Sequence, residues 1–600
     1  MTISTSALDS TPPSGAHSQA ALLELLTADG ELITERLDHW AATHSDARFL
    51  YYGEDSLALT YGEFADLTDT VSGNLARLGI RQGDRISVLT TNSYLATVVM
   101  FAVWKAGAVY CPINFSYVGR LLAYQLDDTR PALLVTDGAH LPAVNGIADA
   151  LADTPRVVVY RPEPGMHDHV ATSVDVHPRF AHNSWEDLLA PSTRPDVTIS
   201  FDDPANIVYT SGTTGPAKGV VQPYRWMTQY TFGLRSILTP DDVVYNDLPM
   251  YHVGGAIANV ARAAWVGCGV ALWDRFSPSD FWRRIATSGA TSAILLDVMI
   301  PWLMNAEPRS DDRANTLNKV YLQPLPIHHA EIAARFGFDV VMAGFGQTES
   351  GAPASALIME NQPGDGTPSD LYRGLSLAEI VERAQRLRMT LIDGADVVRK
   401  GFIGTPGPFC EVAILDEHDA ECDVEQPGQL ALRPHLPALM MLNYHGKPDA
   451  TVAAWRNLWL HTGDAAVRGS DRNLYFVDRL GDRIRVRGEN LSSYQVEDLV
   501  NQHPSVAYCA ACAVPAASGD EDDVVVFVVP AQDAVVTVDD VRSYADEVMP
   551  KHMRPRIVRI VDDLPRTATN KIEKYRLRAQ ITAELASAEK SSGQQSSGTS

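Results

Sequence analysis

Short apolar runs alternate with longer amphipathic stretches over most of the chain. Runs such as Arg85–Leu89, Ala132–Thr136 and Val157–Tyr160 have the length and the branched side chains of buried strands. Strands that alternate with helices are typical of βαβ units, in which parallel strands carry helices on their faces. The pattern therefore predicts the α/β fold class. We expect a large N-terminal domain over residues 26–478, with mostly parallel sheets flanked by helices plus a β-rich subdomain.

The two ends of the chain differ from this pattern. Residues 479–583 alternate strands, such as Asp523–Val529, with helices on a smaller scale, which predicts a small α+β C-terminal domain. Residues 1–25 and 584–600 are biased toward Ser, Ala, Gly and Gln and show no periodicity. Such composition buries too little apolar surface to fold, so both tails are predicted to be disordered.

Residues 361–400 form a stretch that a compact domain does not need. Within it, Ser376 and Glu379 have the spacing of a capping box, and apolar residues follow at helical intervals from Leu377 to Leu387. The stretch is predicted to be an ordered helical insertion. Two interpretations remain open at this point: a lid or acceptor-binding element beside the substrate, or a surface insertion that contacts solvent or another subunit.

Composition excludes several classes of partner. The chain of 600 residues carries 49 Lys and Arg against 74 Asp and Glu, a formal charge of −25. An acidic surface repels nucleic acid and anionic lipid, so neither is an expected partner. No apolar run reaches the roughly eighteen residues of a membrane span, and no secretory signal precedes the cysteines. A soluble, cytoplasmic protein without a membrane span is expected.

The six cysteines are expected to be free thiols. Cys509 and Cys512 form a C-x-x-C, but they lie in the apolar run Val506–Val514, and no second pair stands at the spacing of a zinc site. We interpret them as buried strand residues.

The strongest chemical signal is the loop from Thr210 to Lys218, which follows the apolar pair Ile207 and Val208. It combines glycines, hydroxyl residues and a lysine. Glycines allow backbone N–H groups to approach an oxyanion, hydroxyls add donors, and Lys218 adds a mobile cation. The loop is predicted to bind phosphate, although its spacing does not match the Walker pattern.

This loop resembles the phosphate loop of the adenylate-forming, AMP-binding superfamily, and the later motifs most resemble acyl-CoA synthetases of the carnitine/crotonobetaine-CoA ligase branch. The resemblance implies that the loop grips the β- and γ-phosphates of ATP. Its residues would be Thr210, Ser211, Gly212, Thr213, Thr214, Gly215 and Lys218.

Two further motifs resemble those that border the substrates in this superfamily. Pro249–Gly255 matches the segment whose histidine borders the substrate pocket, which implies that His252 lies at the pocket wall and takes part in catalysis. Phe345 replaces the tyrosine expected to stack on adenine. Thr348 and Glu349 follow an apolar strand, where open α/β sheets bind ligands. Since a carboxylate beside triphosphate needs a hard cation, Glu349, together with Thr210, is predicted to hold Mg²⁺.

The sequence departs from the superfamily pattern at a segment that borders the pocket for the carboxylic acid substrate. Where the superfamily has a glycine-rich turn beside the adenine and acyl pocket, this chain has Tyr321–Pro326. The resemblance therefore leaves the acyl specificity open.

The C-terminal third contains the remaining candidates. Asp464, in His461–Asp464, is predicted to accept hydrogen bonds from the ribose hydroxyls. By resemblance, the hinge between the domains lies at Asp478, Arg479 contacts ribose and Gly488 borders the pantetheine tunnel. Lys571 resembles the C-terminal catalytic lysine, which would place positive charge where negative charge develops on the α-phosphate.

The resemblance predicts an ATP-dependent, AMP-forming ligase that uses ATP, Mg²⁺ and CoA. A small or aromatic carboxylate would form an acyl-AMP, release pyrophosphate and pass the acyl group to CoA, while the small domain rotates between the two steps. One alternative is an ATP-dependent diazotase of natural-product biosynthesis. It would activate nitrite and transfer the nitrosyl group to an aromatic amine. A carrier-protein thiol as acceptor and a non-catalytic nucleotide-binding protein are further alternatives.

Overall fold

The computed structural model describes residues 16–28, 30–171, 174–210, 216–296, 299–362, 364–479, 483–486, 489–516, 521–531, 534–565, 572, 574 and 576–585. The chain divides into two compact units. One comprises residues 1–209 and 219–478, and the other comprises residues 210–218 and 479–600.

The described α-helices are α1 (Gln19–Glu24), α2 (Ile33–Thr43), α3 (Tyr61–Arg77), α4 (Ser93–Lys105), α5 (Gly119–Thr129), α6 (Leu141–Gly146), α7 (Trp185–Leu188), α8 (Tyr224–Ser236), α9 (Arg262–Val266), α10 (Phe281–Ser288), α11 (Ile300–Met304), α12 (His329–Phe336), α13 (Leu377–Arg386), α14 (Pro448–Ala454), α15 (Ser493–Val500) and α16 (Val538–Val548). A π-helical segment, Gly254–Ala261, leads directly into α9.

The described strands are β1 (Arg48–Tyr52), β2 (Leu57–Thr60), β3 (Arg85–Leu89), β4 (Val109–Pro112), β5 (Leu133–Asp137), β6 (Arg156–Tyr160), β7 (His182–Ser184), β8 (Pro204–Thr210), β9 (Lys218–Pro223), β10 (Val243–Asn246), β11 (Gly269–Leu272), β12 (Ser292–Leu296), β13 (Lys319–Gln323), β14 (Val340–Gln347), β15 (Gly351–Met359), β16 (Leu391–Asp393), β17 (Thr405–Pro406), β18 (Cys410–Leu415), β19 (Gly428–Pro434), β20 (Asn443–Tyr444), β21 (Leu460–Arg468), β22 (Leu474–Arg479), β23 (Arg483–Val486), β24 (Glu489–Ser492), β25 (Val506–Pro515), β26 (Asp522–Pro530) and β27 (Ile557–Ile560).

Two large sheets and a smaller one make up the first unit within the described chain. One large sheet has the order β16-β15-β14-β13-β12-β10-β11-β1-β2, with β17 beside β15, and the other has the order β20-β9-β8-β4-β3-β5-β6-β7. The pairings from β10 through β14 and from β3 through β7 are parallel. Strands β18, β19, β21 and β22 form the separate β-rich subdomain. The predicted α/β architecture is confirmed.

The core of this unit lies where helices cover both sheets. Helix α4 is buried along nearly its whole length, and its Phe101 and Trp104 form an aromatic cluster with Phe49 and Phe64 that has no exposed surface. Aromatic rings bury large apolar areas, so this cluster contributes much of the stability of the scaffold.

The second unit contains a β23–β24 hairpin and a β25-β26-β27 sheet, with α15 and α16. Cys509 and Cys512 are both buried in β25, as predicted, and all six cysteines are free thiols. Residues three apart on a strand point to opposite faces, so these two thiols do not form a metal site.

The N-terminal prediction is wrong for residues 16–25. Ser18 caps α1 by accepting a hydrogen bond from the Ala21 amide, and Leu22 and Leu26 are fully buried. These leucines pack with residues that include Phe232 and Leu387, so contacts distant in sequence order a segment that has no periodicity of its own.

The predicted insertion helix is present as α13, with Ser376 and Glu379 forming the expected capping box. Ile380 and Ala384 are fully buried beside Met342 and Leu357, and strand β16 pairs in parallel with β15. The insertion therefore extends the large sheet and shares its core. No helix in the described part of the chain is long and apolar enough to cross a membrane.

Candidate active site

The phosphate-binding candidate lies between two adjacent strands. Thr210 ends β8 and Lys218 begins β9. Just before the loop, the hydroxyl of the half-buried Tyr209 donates a 2.8 Å hydrogen bond to Asp128, which also pairs with Lys447. Burial raises the pKa of Tyr209. These contacts fix the strand from which the loop departs.

The Thr348–Glu349 turn follows β14 and is held from two sides. The Gln222 side chain donates to the Thr348 carbonyl at 2.8 Å, and the Met441 amide donates to the Glu349 carbonyl at 2.8 Å. The Glu349 carboxylate accepts a hydrogen bond from the Tyr444 hydroxyl, with 3.1 Å between Oη and Oε1. Three residues that the sequence analysis missed thus position this turn.

The predicted ribose acceptor meets the same turn. Asp464 is buried in β21, and its carboxylate accepts a hydrogen bond from the Gln347 side chain, which also donates to the Thr462 carbonyl at 3.1 Å. The Asp464 amide donates to the Thr462 hydroxyl at 3.2 Å. The structure therefore brings together two predicted motifs that are 117 residues apart in sequence.

A cavity of about 170 Å³ lies beside these residues. Helix α8 and the π-helical segment cover one face of the sheet that contains β12, β13 and β14. Ile294, Tyr321 and Met342 of these strands line the cavity. Gly346, directly before Gln347, also lines it. A cavity next to convergent polar groups is the usual form of a small-molecule site.

The insertion contributes to this cavity. Leu387, Arg388, Met389 and Thr390, which follow α13, line one side of it. The segment is therefore part of the cavity wall and of the core, and its role as a lid or acceptor-binding element remains a prediction.

The segment that departs from the family pattern also reaches the cavity. Tyr321 and Gln323 line it, and the buried Gln323 Oε1 has no hydrogen-bond partner among the described residues. The substitution of this turn therefore changes the surface that a substrate would meet.

His252 lies in a turn whose neighbouring residues line the cavity. Leu248 and Gly254 on either side of His252 contribute to the wall, while the His252 ring packs on Tyr251, with centroids 4.4 Å apart. The place of His252 at the pocket wall remains a prediction. In this turn, Leu248 and Gly254 contribute to the cavity wall.

A buried polar chain supports that turn. Arg262 donates to Asn259 at 3.2 Å, Asn259 donates to Asn246 at 3.0 Å, and Asn246 donates to the Leu248 carbonyl at 3.2 Å. Burial lowers the pKa of Arg262 to about 10. Buried polar groups that are linked in this way hold a single conformation, so the chain fixes the start of the His252 turn.

Phe345 is packed inside the protein. Its side chain is 6% exposed and belongs to a cluster that includes Val220, Ile403 and Leu474. Its predicted stacking on adenine remains a prediction.

Other predicted site residues fall outside the described part of the chain. The backbone of Arg479 ends β22, but its side chain is not described. The remaining predictions that cannot be placed are Ser211, Gly212, Thr213, Thr214, Gly215, Gly488 and Lys571.

Comparisons with known proteins show the family of this chain. The profile of the AMP-binding enzyme family matches residues 37–445, and the profile of the AMP-binding enzyme C-terminal domain matches residues 495–571. Crotonobetaine/carnitine–CoA ligase of Salmonella arizonae is 26% identical over 563 residues, covering 92% of this chain and 99% of that protein. Sulfoacetate–CoA ligase of Cupriavidus necator is 27% identical over 570 residues, covering 94% and 99%.

Solved structures share the fold. A malonyl-CoA ligase structure, described as a ternary product complex with methylmalonyl-CoA and AMP bound, has a TM-score of 0.65 and 25% identity, covering 87% of this chain and 97% of that chain. The o-succinylbenzoate CoA synthetase of Bacillus subtilis has a TM-score of 0.69 and 22% identity, covering 91% and 98%.

Proposed function

Because this chain belongs to the AMP-binding enzyme family, we propose that it activates a small or aromatic carboxylic acid for transfer to CoA. The chain is an ATP-dependent, AMP-forming ligase. In the proposed first step, a carboxylate oxygen attacks the α-phosphorus of ATP, and the bond to the β-phosphate oxygen breaks. Pyrophosphate leaves with that electron pair, and an acyl-AMP forms.

In the second step, the deprotonated thiol of CoA attacks the acyl carbonyl carbon. A carbon–sulfur bond forms, the carbon–oxygen bond to phosphate breaks, and AMP leaves with the electron pair. Adenylation thus converts a carboxylate oxygen, which is a poor leaving group, into part of a stabilised phosphate.

One observation carries this proposal. The residues predicted to bind the nucleotide lie next to the cavity, at the end of strand β14. Gly346 lines the cavity, Gln347 holds Asp464, and Thr348 and Glu349 come next. An acid in the cavity would have its carboxylate near a nucleotide bound by these residues. Catalysis of phosphoryl-group chemistry rests mainly on such positioning.

Glu349 fits the proposed role of a Mg²⁺ ligand. It supplies the hard oxygen donors that Mg²⁺ prefers, and Tyr444 orients one of its oxygens. Bound Mg²⁺ would neutralise charge on the phosphates of ATP. Asp464 would accept the ribose hydroxyls, while Thr210 and Lys218 would contribute to phosphate binding and Thr210 also to the metal site.

Lys571 would supply the positive charge for the first step, and Gly488 would border the path of the CoA thiol. CoA is the proposed acceptor because the curated relatives named above are CoA ligases. An amine or a carrier-protein thiol would change the second step and leave the first intact.

The cavity also bears on the nitrite alternative. A volume of about 170 Å³ holds on the order of ten water-sized groups, whereas nitrite would fill a small fraction of it. The volume therefore suits an organic molecule, which would be the acid in the proposed reaction and the aromatic amine in the nitrite alternative.

The test is pyrophosphate release by the purified protein with ATP and Mg²⁺. Aliphatic and aromatic acids are supplied with and without CoA, and nitrite is supplied with an aminobenzoate. Release that needs an acid, with a thioester formed when CoA is present, is the expected result. Release that needs nitrite and produces a diazo chromophore would overturn the proposal.

A further inference from the structure

The cavity contains a gap that a glycine leaves open. Gly233 lies within the 13-residue helix α8, facing the cavity. Glycine is among the poorest helix formers, and alanine would suit the helix better. A side chain at this position would project toward the cavity, so the glycine leaves space that the helix alone does not require.

The surroundings of this gap are defined by three other elements. A Cβ atom on Gly233 would lie 3.8 Å from Met389 Cε, 3.9 Å from Ser355 Oγ and 4.0 Å from Met342 Cε. These are ordinary van der Waals distances, so alanine fits without displacing a neighbour. A larger side chain would occupy the space between α8 and the sheet.

Apolar side chains form one side of the cavity. Phe232, Leu387 and Phe409 line it, and Leu22 and Leu26 of the N-terminal segment pack behind them in the same cluster. The Phe232 and Phe409 rings meet edge to face, with centroids 4.9 Å apart. The volume suits about ten non-hydrogen atoms, the size of a substituted benzoate.

The chemistry around the gap favours a ring with a polar substituent. The Met342 and Met389 thioethers provide the soft, polarisable contacts that aromatic rings accept well. Ser355 Oγ lies at the same place, and within the described part of the chain it has no hydrogen-bond partner. A hydroxyl or amino group on the ring could complete that hydrogen bond.

We infer that Gly233 sets the size of the acid this enzyme accepts, and that the substrate is an aromatic acid whose hydroxyl or amino substituent bonds to Ser355. This inference rests on the proposed function, since it assigns the ring to the acid that is adenylated.

The test uses the full-length enzyme and acid-dependent pyrophosphate release. The kcat/KM values for acetate, benzoate, hydroxybenzoate and aminobenzoate are compared among wild type, Gly233→Ala and Gly233→Leu. Gly146→Leu is the matched control, because Gly146 is exposed in helix α6 and a Cβ atom added there would have no neighbouring atom within 4 Å.

Gly233→Leu should lower kcat/KM for the ring acids by at least about tenfold relative to acetate, with the KM for ATP unchanged, and Gly146→Leu should have no effect. Gly233→Ala should show a smaller change in the same direction and melt no lower than wild type, which keeps the test valid if the leucine variant does not fold. Equal effects of the Gly233 variants on all acids would overturn the role of Gly233.

Ser355→Ala tests the polar contact. It should lower kcat/KM for the hydroxyl- and amino-substituted acids about threefold to tenfold and leave benzoate unchanged. Equal loss for benzoate would overturn the assignment of Ser355. Failure of the proposed function is distinguishable, because wild-type enzyme would then release no pyrophosphate with any acid.

Discussion

The Tyr444 hydroxyl donates a hydrogen bond to the Glu349 carboxylate across 3.1 Å, although 95 residues separate the two in sequence. Tyr444 belongs to β20, where it pairs with Val220 of β9, the strand that follows the phosphate-loop candidate. The Met441 amide, just before β20, holds the Glu349 backbone. A two-residue strand thus connects the proposed metal ligand with the strand beside the loop.

Removal of this hydroxyl should weaken the metal-nucleotide site. In Tyr444→Phe, one Glu349 oxygen loses its donor, and a hydrogen bond to a charged group contributes on the order of 1.5–3 kcal/mol. We expect the apparent KM for Mg²⁺-ATP to rise by about tenfold, as measured by pyrophosphate release. Tyr372→Phe is the control, since that hydroxyl bonds to the Leu375 carbonyl in the insertion. Identical kinetics of the two variants would contradict the role of Tyr444.

The Gln347–Asp464 contact should govern ATP binding and not acid binding. Asp464→Ala removes the proposed ribose acceptor, and Gln347→Ala removes the group that orients it. We expect the KM for ATP to rise by about 10- to 100-fold in Asp464→Ala and by about tenfold in Gln347→Ala. The KM for the acid should stay constant in both. An effect confined to the acid would assign these residues to a different subsite.

The insertion should be needed for stability. Ile380 of α13 is fully buried against the large sheet, so Ile380→Ala should lower the free energy of unfolding by about 2–5 kcal/mol. Val398 in the same insertion is 77% exposed, and Val398→Ala should change it by less than about 0.5 kcal/mol. Urea unfolding compares the two variants. Equal midpoints would show that the insertion is independent of the core.

Because of His167, the stability of the folded protein should decrease as the pH rises into the alkaline range. Its Nε2 lies 2.8 Å from an Asp274 oxygen and 3.1 Å from the Tyr52 hydroxyl, and its Nδ1 lies 2.9 Å from Asp55 and 3.7 Å from Asp168. Hydrogen bonding to Asp274, opposed by burial and assisted by Asp55, raises the pKa of His167 to about 9. The native state therefore holds this proton more tightly than the unfolded state.

Because this pKa is raised on folding, its stabilising effect is complete below the unfolded value of about 6.5 and disappears as pH rises through about 9. Melting temperatures of wild type and His167→Gln, measured from pH 6 to pH 10, should converge across that range. A difference that is constant with pH would mean that His167 acts through packing alone.

Local patterns were sufficient to predict several parts of the fold. Ser376 and Glu379 predicted the start of α13 because a capping box involves residues three apart. The motifs predict Asp464 and Glu349 as site residues, but they do not indicate the contacts of these residues with Gln347 and Tyr444. Gln347 occupies a variable position of its motif, and Tyr444 reaches Glu349 through strand pairing that the sequence does not display. The burial of Leu22 and Leu26 likewise depends on partners distant in the chain.

The most direct test of the central claim follows an oxygen atom. A carboxylic acid that supports turnover is labelled with ¹⁸O in its carboxylate and incubated with the enzyme, ATP, Mg²⁺ and CoA, and the products are analysed by mass spectrometry. Attack of the carboxylate on the α-phosphorus predicts one ¹⁸O atom in AMP and none in pyrophosphate. Unlabelled AMP, or label in pyrophosphate, would contradict the formation of an acyl-AMP.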